Sequence, residues 1–256
     1  MHILTRKEKG ILTIEFNRPD KKNSITSEMY RMIADALADG QNDPATRVVV
    51  FLGKPDIFSA GNDLVDFMNH TQDENLSERP VAAFMLNLVT LTKPVIACVT
   101  GAAIGIGTTM LLHCDLIYAS ENATFAMPFA QLGLCPEFGS SRLLPETVGY
   151  QKAAEKLFFG EPFSAQEACE MGLVNRVLPD AELADFVYER AAKLAALPAS
   201  SLRTTKGLIK NAHLERVREK ILEENAYFSR MLLSPEAKEA FSAFFERRKP
   251  DFTKFA

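Results

Sequence analysis

One long apolar run, residues 94–119, limits the folds open to this chain more than any other feature. It has the length of a membrane span, but His113 and Asp115 fall inside it and three glycines crowd its middle. Glycines in an apolar segment need a structural reason, and a tight strand-to-helix turn with bare backbone close to another group supplies one. Because a backbone N–H at a helix start can stabilise developing negative charge, we expect a buried, chemically useful turn at 101–108 instead of a membrane helix.

Predicted strands alternate with predicted helices in the first half of the chain, whereas helices dominate after Gln151. Short apolar runs indicate strands at 3–6, 11–16, 48–52, 95–99, 116–119 and 173–178. Helical periodicity indicates helices from Thr26 or Ser27 through Leu37 and over 81–91, 151–159, 164–171, 181–196, 201–211, 213–233 and 236–247. The alternation predicts an α/β core over 1–195. A C-terminal helical region over 196–256 belongs to the same domain unit.

Composition excludes several classes of function. The 256 residues carry a net charge of −4, which argues against nucleic acid or an anionic membrane as the main partner. The four cysteines lie far apart without CxxC spacing, so we expect reduced, buried thiols and no metal site. The first residues enter a strand pattern and lack the apolar block of a signal peptide. Together these features predict a cytoplasmic protein.

Two glycine-containing turns follow two of the predicted buried strands. Phe58-Ser-Ala-Gly-Asn-Asp-Leu64 follows the strand at 48–52, and Gly101-Ala-Ala-Ile-Gly-Ile-Gly107 follows the strand at 95–99. If these turns face each other, two backbone N–H groups converge on one carbonyl oxygen and form an oxyanion hole. Glycine turns of this kind also occur for close packing alone, so their spacing leaves both interpretations open.

Several motifs together resemble those of the crotonase family, the enoyl-CoA hydratase and isomerase superfamily. They are Asn17-Arg-Pro with Asn23, Phe58-Ser-Ala-Gly-Asn-Asp-Leu64, Lys93-Pro-Val-Ile-Ala97, Gly101-Ala-Ala-Ile-Gly-Ile-Gly107, Cys114-Asp115, Pro136-Glu-Phe-Gly139 and Phe163-Ser-Ala-Gln-Glu-Ala-Cys-Glu-Met-Gly-Leu-Val-Asn175. The resemblance extends from about residue 3 to about residue 250. Each motif alone is weak, and the specificity comes from their combination.

The resemblance implies a spiral of ββα units followed by helices that build homotrimers, often paired into hexamers. It implies an acyl-CoA thioester as substrate, with no separate cofactor because coenzyme A is part of that substrate. The backbone N–H groups of Asn62 and Ile106 would form the oxyanion hole that holds an enolate. The positions matched to substrate binding are Ala60, Gly61, Asp63, Leu64, Gly105 and Gly107.

Two positions argue against a hydratase. Hydratases of this family place one glutamate just after the second glycine turn, where this chain has Thr109, and another where it has Phe129 after Pro128. Hydration requires one group to activate water and another to deliver a proton. The absence of both glutamates therefore disfavours that reaction.

Glu137 supplies a different carboxylate. On sequence alone, a glutamate after a proline is also compatible with a surface turn. Within the family resemblance, Glu137 matches the single catalytic glutamate of Δ3,Δ2-enoyl-CoA isomerases, which shifts a proton from C2 to C4 of a 3-enoyl thioester. Its neighbours Leu134, Pro136 and Phe138 are apolar, and burial among them would raise the pKa of Glu137. We therefore predict an isomerase with Glu137 as its acid and base.

Two alternatives remain open at this point: an enoyl-CoA hydratase or other crotonase enzyme, and an acyl-CoA-binding protein without catalysis. His113 and Asp115 are predicted to lie at a helix end and before a strand, without forming a catalytic pair. The phenylalanines of the last helix are expected in the core or a subunit interface. We expect residues 69–91 to shape the acyl pocket.

Overall fold

The computed structural model describes residues 1–69 and 79–255. Its strands are β1 (Ile3–Glu8), β2 (Ile11–Phe16), β3 (Val48–Leu52), β4 (Ile57–Ser59), β5 (Val95–Val99), β6 (Ala102–Ile104), β7 (Leu116–Ser120), β8 (Thr124–Ala126), β9 (Phe163–Ser164) and β10 (Arg176–Leu178). Its helices are α1 (Ser27–Asn42), α2 (Leu64–Asn69), α3 (Pro80–Thr90), α4 (Ile106–Thr109), α5 (Ser140–Val148), α6 (Tyr150–Phe159), α7 (Ala165–Glu170), α8 (Asp180–Ala196), α9 (Ala199–Leu232) and α10 (Pro235–Phe245).

The larger sheet of the described residues has the strand order β1-β2-β3-β5-β7-β10. Only the β1–β2 hairpin is antiparallel among these strands, and the remaining neighbours run parallel. All five residues of β5 are buried, as a strand with both faces covered requires. The continuous apolar sequence of β3 and β5, which predicted buried strands, thus reflects their central position.

A smaller sheet with the order β4-β6-β8-β9 lies beside the larger one. The chain places a strand in the larger sheet, then one in the smaller sheet, then a helix: β3, β4 and α2 form one such set, and β5, β6 and α4 form the next. This repetition confirms the predicted α/β spiral of ββα units. Parallel pairing of β4 with β6 brings the chain that leaves each strand to the same edge.

The run at 94–119 is resolved into β5, β6, α4, the 3₁₀ helix Met110–His113 and β7. Within residues 1–69 and 79–255, no helix combines the length and apolar character needed to cross a membrane. The tight strand-to-helix turn that the sequence predicts lies between β6 and α4.

Some predicted boundaries were wrong. The helices expected at 201–211 and 213–233 form the single helix α9, because Ala212 at the expected break favours helix. Only 176–178 of the strand expected at 173–178 pairs with β7. The strands of the smaller sheet were mostly missed because two or three residues are too short to show alternation. Residues 70–78 of the segment expected to shape the acyl pocket lie outside the described residues.

Candidate active site

A cavity of about 550 Å³ opens where the turns after β4 and β6 meet. We call it the main cavity. It is lined by Lys21, Lys22, Ser24, Ala60, Gly61, Asn62, Asp63, Leu64, Val65, Ile104, Gly105, Ile106, Pro128, Phe129, Gln131, Leu132, Leu134, Glu137, Phe228, Phe241, Phe244 and Phe245. Seven of the eight residues predicted around an oxyanion site, together with Glu137, thus line the same cavity. The exception is Gly107.

The first turn, residues 60–63, is held by buried polar groups. The fully buried Asn23 donates from Nδ2 to the carbonyls of Ile57 and Phe58, at 3.0 and 3.2 Å. Ser59 Oγ donates to the Asn23 carbonyl at 2.9 Å and accepts from Gly61 N–H at 3.1 Å. The loop containing Asn23 therefore fixes the backbone on which Asn62 lies.

The second turn, residues 104–107, is fixed by the smaller sheet. Gly105 N–H donates to the Ala126 carbonyl at 2.8 Å, and Thr108 Oγ1 donates to the same carbonyl at 3.1 Å. A Cβ added to Gly107 would lie 2.9 Å from the Ser59 carbonyl oxygen, so a glycine at this position allows close contact with the end of β4. Gly107 was predicted to bind substrate, but it does not line the main cavity and instead packs behind the residues that do.

The two turns face each other directly. A Cβ added to Gly61, which has φ +87°, would lie 2.7 Å from the Ile104 carbonyl oxygen. Among the described residues, the N–H groups of Asn62 and Ile106 donate no hydrogen bond within the protein, although both residues line the main cavity. Two unused backbone N–H groups on adjacent turns can both donate to one ligand oxygen placed between them.

Glu137 also lines the main cavity and is buried, with 5% of its surface exposed. Its Oε1 atom has no hydrogen-bond partner in the described part of the chain. Burial raises the pKa of Glu137 to about 8, and the negative charge of Glu224 contributes to the increase. The prediction of a raised pKa is thus supported by the structure, and burial is its main cause.

The backbone that follows Glu137 has an unusual conformation. Phe138 has a φ of +59°, a region rarely adopted by bulky residues, and Gly139 continues with +73°. His113 stacks on Phe138 with ring centroids 4.1 Å apart, and its Nε2 donates to the Phe138 carbonyl at 2.7 Å. Burial lowers the pKa of His113 to about 3, so the imidazole is neutral. His113 therefore stabilises the turn that follows Glu137. It is also the last residue of the 3₁₀ helix Met110–His113, as expected from its predicted position at a helix end.

Asp115 has a structural role, as predicted. Its Oδ2 accepts from Val95 N–H at 2.8 Å and from the Lys206 ammonium at 2.7 Å. These bonds connect the start of β5 to α9. Asp115 and His113 therefore serve different parts of the structure and do not form a catalytic pair.

A smaller inner pocket of about 60 Å³ adjoins the main cavity, and Asn62, Glu137 and Phe228 line both. The other residues that line this inner pocket are Ile25, Ser27, Tyr30, Asp66, Arg79, Pro80, Val81, Ala82, Met85, Asn225, Ser229 and Leu232. Tyr30 donates to Asn62 Oδ1 at 2.5 Å. Because burial raises the pKa of Tyr30 well above its ordinary value, this hydroxyl stays protonated and continues to donate.

Asp63 differs from Glu137, although both carboxylates line the main cavity. Its Oδ2 accepts from Arg18 Nη1 at 2.6 Å, and its Oδ1 accepts from Asp66 N–H at 3.1 Å at the start of α2. Burial alone would raise the pKa of Asp63, but these hydrogen bonds and the Arg18 charge lower it. Asp63 therefore caps α2 as a carboxylate whose lowered pKa makes it unsuited to carry a proton at neutral pH.

The two positions at which a hydratase would carry glutamates hold no acid. Thr109 is fully buried in α4, and its hydroxyl has no hydrogen-bond partner among residues 1–69 and 79–255. Phe129 lines the main cavity and packs edge-on against Phe228, with centroids 6.5 Å apart. Apolar packing therefore occupies the wall where the second glutamate would lie.

The structure also adds residues that sequence reasoning missed. Tyr30 and Phe228 line the site from α1 and α9, and Phe241, Phe244 and Phe245 form a wall on α10. The phenylalanines were expected in the core or an interface, and their helical spacing was the available indication of a common face. In the described ranges, no group of three His, Cys, Asp or Glu side chains is arranged to bind a metal ion.

Comparisons with known proteins agree with this geometry. A sequence profile described as Enoyl-CoA hydratase/isomerase matches residues 6–254. The chain is 38% identical over 250 residues to enoyl-CoA delta isomerase 2 of Rattus norvegicus. The matched region is 96% of this chain but only 64% of the rat protein. It is 34% identical over 256 residues to 1,2-epoxyphenylacetyl-CoA isomerase of Escherichia coli, with 98% of both chains covered. A crystal structure of an enoyl-CoA hydratase/isomerase from Pseudoalteromonas atlantica superimposes with a TM-score of 0.95 at 37% identity, covering 99% of this chain and 100% of that one.

Proposed function

The chain belongs to the enoyl-CoA hydratase/isomerase family, and we propose that it is an enzyme that converts 3-enoyl-CoA into 2-enoyl-CoA. The family name covers both reactions, so the choice between them depends on the carboxylates of the site. The observation that carries the proposal is Glu137, a buried carboxyl with an unpartnered oxygen beside two unused backbone donors.

The proposed reaction needs one proton carrier. The thioester oxygen accepts hydrogen bonds from the N–H groups of Asn62 and Ile106, and the Glu137 carboxylate removes a proton from C2. The electron pair of the broken C–H bond then enters a dienolate whose negative charge lies on that oxygen. Glu137 returns the proton to C4, which leaves the double bond between C2 and C3 in conjugation with the thioester.

The environment of Glu137 suits both halves of this transfer. A carboxylate with a pKa near 8 is a stronger base than an exposed one, and its protonated form is still an acid at neutral pH. A hydratase would require a second group, but Asp63 is paired with Arg18 and the wall at Phe129 is apolar.

Substrate binding is proposed along the main cavity, with the acyl group toward the inner pocket. Lys21 and Lys22 line the cavity and are exposed, so their charges can meet the phosphates of coenzyme A. Ala60, Gly61, Asp63, Leu64 and Gly105 would contact the thioester and pantetheine, since they line the same wall. No separate cofactor enters the proposed reaction.

The assembly and location remain proposals. Leu208, Ile209 and Leu222 on α9 are 79%, 70% and 66% exposed, so this helix offers apolar surface for a homotrimer or a hexamer of two trimers to bury. A cytoplasmic location stays a prediction from composition.

Separate supply of 3-enoyl-CoA and 2-enoyl-CoA to the purified protein tests the proposed reaction. We expect 3-enoyl-CoA to be isomerised and 2-enoyl-CoA to undergo little hydration, because the site offers one proton carrier. Rapid hydration of 2-enoyl-CoA without isomerisation of 3-enoyl-CoA would contradict the proposal. Binding of both thioesters without turnover would instead favour an acyl-CoA-binding protein.

The pH dependence of kcat/KM follows from the ionisation of Glu137 in the free enzyme. Since the base must be deprotonated and its pKa is about 8, activity should fall as the pH decreases through that value. A single group with this pKa predicts a rise of about tenfold between pH 7 and pH 9. A flat profile from pH 6 to pH 9, measured where chemistry limits the rate, would exclude Glu137 as the titrating base.

A further inference from the structure

A second buried glutamate holds the turn that carries Glu137. Glu224 lies on α9 with 4% of its surface exposed. Its Oε2 accepts from Gly139 N–H at 2.5 Å, and its Oε1 accepts from Ser141 N–H at 2.9 Å and from Ser141 Oγ at 2.5 Å. One side chain thus satisfies three donors within four residues of Glu137.

These hydrogen bonds hold a strained stretch of backbone at the start of α5. Phe138 and Gly139 both have positive φ, and α5 begins directly afterwards at Ser140. The first N–H groups of a helix have no intrahelical partners, and a residue in the left-handed region persists only when its surroundings hold it. Glu224 provides the acceptors from a helix that is distant in sequence, and His113 holds the Phe138 carbonyl from the other side.

We propose that Glu224 is a positioning residue for the reaction, which holds the turn after Glu137 and places a negative charge near the Glu137 carboxyl. This inference rests on the proposed function only in assigning the proton transfer to Glu137. Glu224 does not line either cavity, so it acts through Glu137 and not on the substrate.

The charge of Glu224 has a direct effect on Glu137. Burial is the main cause of the raised pKa of Glu137, and repulsion from Glu224 is the second. Burial also raises the pKa of Glu224, but the bonds from Ser141 and Gly139 oppose that increase by stabilising its ionised form. Removal of the Glu224 charge should therefore lower the pKa of Glu137 and move its titration toward lower pH.

Other titratable groups near Glu137 do not mimic this effect. Tyr30 from α1, Asp66 from α2 and Arg79 before α3 share the inner pocket with it, whereas His113 lies behind Phe138 and Cys135 precedes it by two residues. The charges of His113, Cys135 and Tyr30 stay unchanged near pH 8, since the pKa values of His113 and Cys135 are about 3 and 11 and that of Tyr30 is well above its usual range.

Two substitutions at this position separate charge from geometry. Glu224→Gln keeps the shape of the side chain but removes its charge. One carboxylate oxygen becomes an amide nitrogen, which cannot accept a hydrogen bond from Gly139 or Ser141. Glu224→Asp keeps the charge but shortens the side chain, so the hydrogen bonds to Gly139 and Ser141 are strained. Glu223→Gln is the matched control, because it removes a charge from the neighbouring residue, whose side chain is 54% exposed and pairs with Lys220.

The titration of Glu137 is measured directly in protein labelled with ¹³C at the glutamate carboxyl carbon, with its resonance assigned by its absence in Glu137→Gln. We expect the titration midpoint to move to lower pH in Glu224→Gln and to stay in place in Glu223→Gln. In the isomerase assay we expect kcat to fall between about tenfold and a hundredfold in both Glu224 variants, with little change in KM, because a misplaced base slows the chemical step.

An unchanged midpoint in folded Glu224→Gln, or an unchanged kcat in folded Glu224→Asp, would overturn the proposal. If Glu224→Gln does not fold, the kcat of folded Glu224→Asp decides whether the proposal stands. The titration requires no substrate, so it separates the two ideas. A protein without isomerase turnover in which the midpoint still responds to Glu224 would refute the proposed function while supporting the coupling.

Discussion

Replacement of Glu137 by Gln is expected to reduce isomerase turnover by about three to four orders of magnitude, near the upper end of the range for general acid–base catalysis. The amide has nearly the same volume as the carboxyl and preserves the packing around Phe138, but it cannot accept the proton from C2. In the described residues, the other carboxylate lining the main cavity is Asp63, which is paired with Arg18 and lies on the first turn. Asp66, which shares the inner pocket with Glu137, accepts hydrogen bonds from Ser27 N–H and Oγ, so we expect neither of these acids to replace Glu137.

Glu137→Asp provides the graded comparison for this measurement. Aspartate keeps the carboxylate but withdraws it by one methylene, so we expect an intermediate loss in kcat. Binding of a saturated acyl-CoA should be almost unchanged in both variants, because the oxyanion donors and the cavity wall remain. Isomerisation by Glu137→Gln at more than one tenth of the original rate would remove Glu137 from the mechanism.

The stability of Glu137→Gln provides an independent check on the environment of this group. Because the folded-state pKa of Glu137 is about 8 and its ordinary value is 4.5, the folded protein keeps a proton that the unfolded chain has released. The resulting cost to stability is absent below pH 4.5, grows as the pH increases and is complete above pH 8. The free energy of unfolding of Glu137→Gln, measured relative to the unsubstituted protein, should therefore be higher at pH 9 than at pH 5. We expect this difference to be on the order of a few kcal/mol.

Local sequence patterns predicted the parts of this fold that depend on local physics. The strands β3 and β5 are continuous apolar runs because both of their faces are covered, and the helix start at Thr26 is visible because its hydroxyl accepts from Met29 N–H. The glycine turns were recognisable because positive φ and close contact leave few alternatives to glycine. The resemblance to a family then connected Glu137 with these turns, which spacing alone could not do.

The missed features depend on contacts between distant parts of the chain. Glu224 bonds to Gly139 across 85 residues, and Tyr30 bonds to Asn62 across 32. A glutamate on a long helix and a tyrosine on an amphipathic one have ordinary local patterns, so neither pattern indicates a site. The positive φ of Phe138 is also invisible in sequence, because tertiary contacts impose it on a residue type that disfavours it.

Gly61→Ala is the substitution we expect to do most damage to the oxyanion hole itself. The new Cβ would lie 2.7 Å from the Ile104 carbonyl oxygen, which is backbone and cannot rotate away. The second turn must therefore move away from the first, and the N–H groups of Asn62 and Ile106 separate. Removal of one oxyanion donor typically costs about a hundredfold to a thousandfold in kcat, and we expect a loss of that size in the isomerase assay.

Gly172→Ala separates this effect from backbone strain. Gly172 has a φ of +82°, close to the +87° of Gly61, but an added Cβ there meets nothing within 4 Å. Both variants should lose roughly 1 kcal/mol of stability from the left-handed conformation, and Gly61→Ala more, because of its clash. Only Gly61→Ala should lose turnover, since only it lies between the two donors. Equal kcat values in the two variants, with both folded by thermal unfolding, would mean that the contact between the turns does not set the position of the donors.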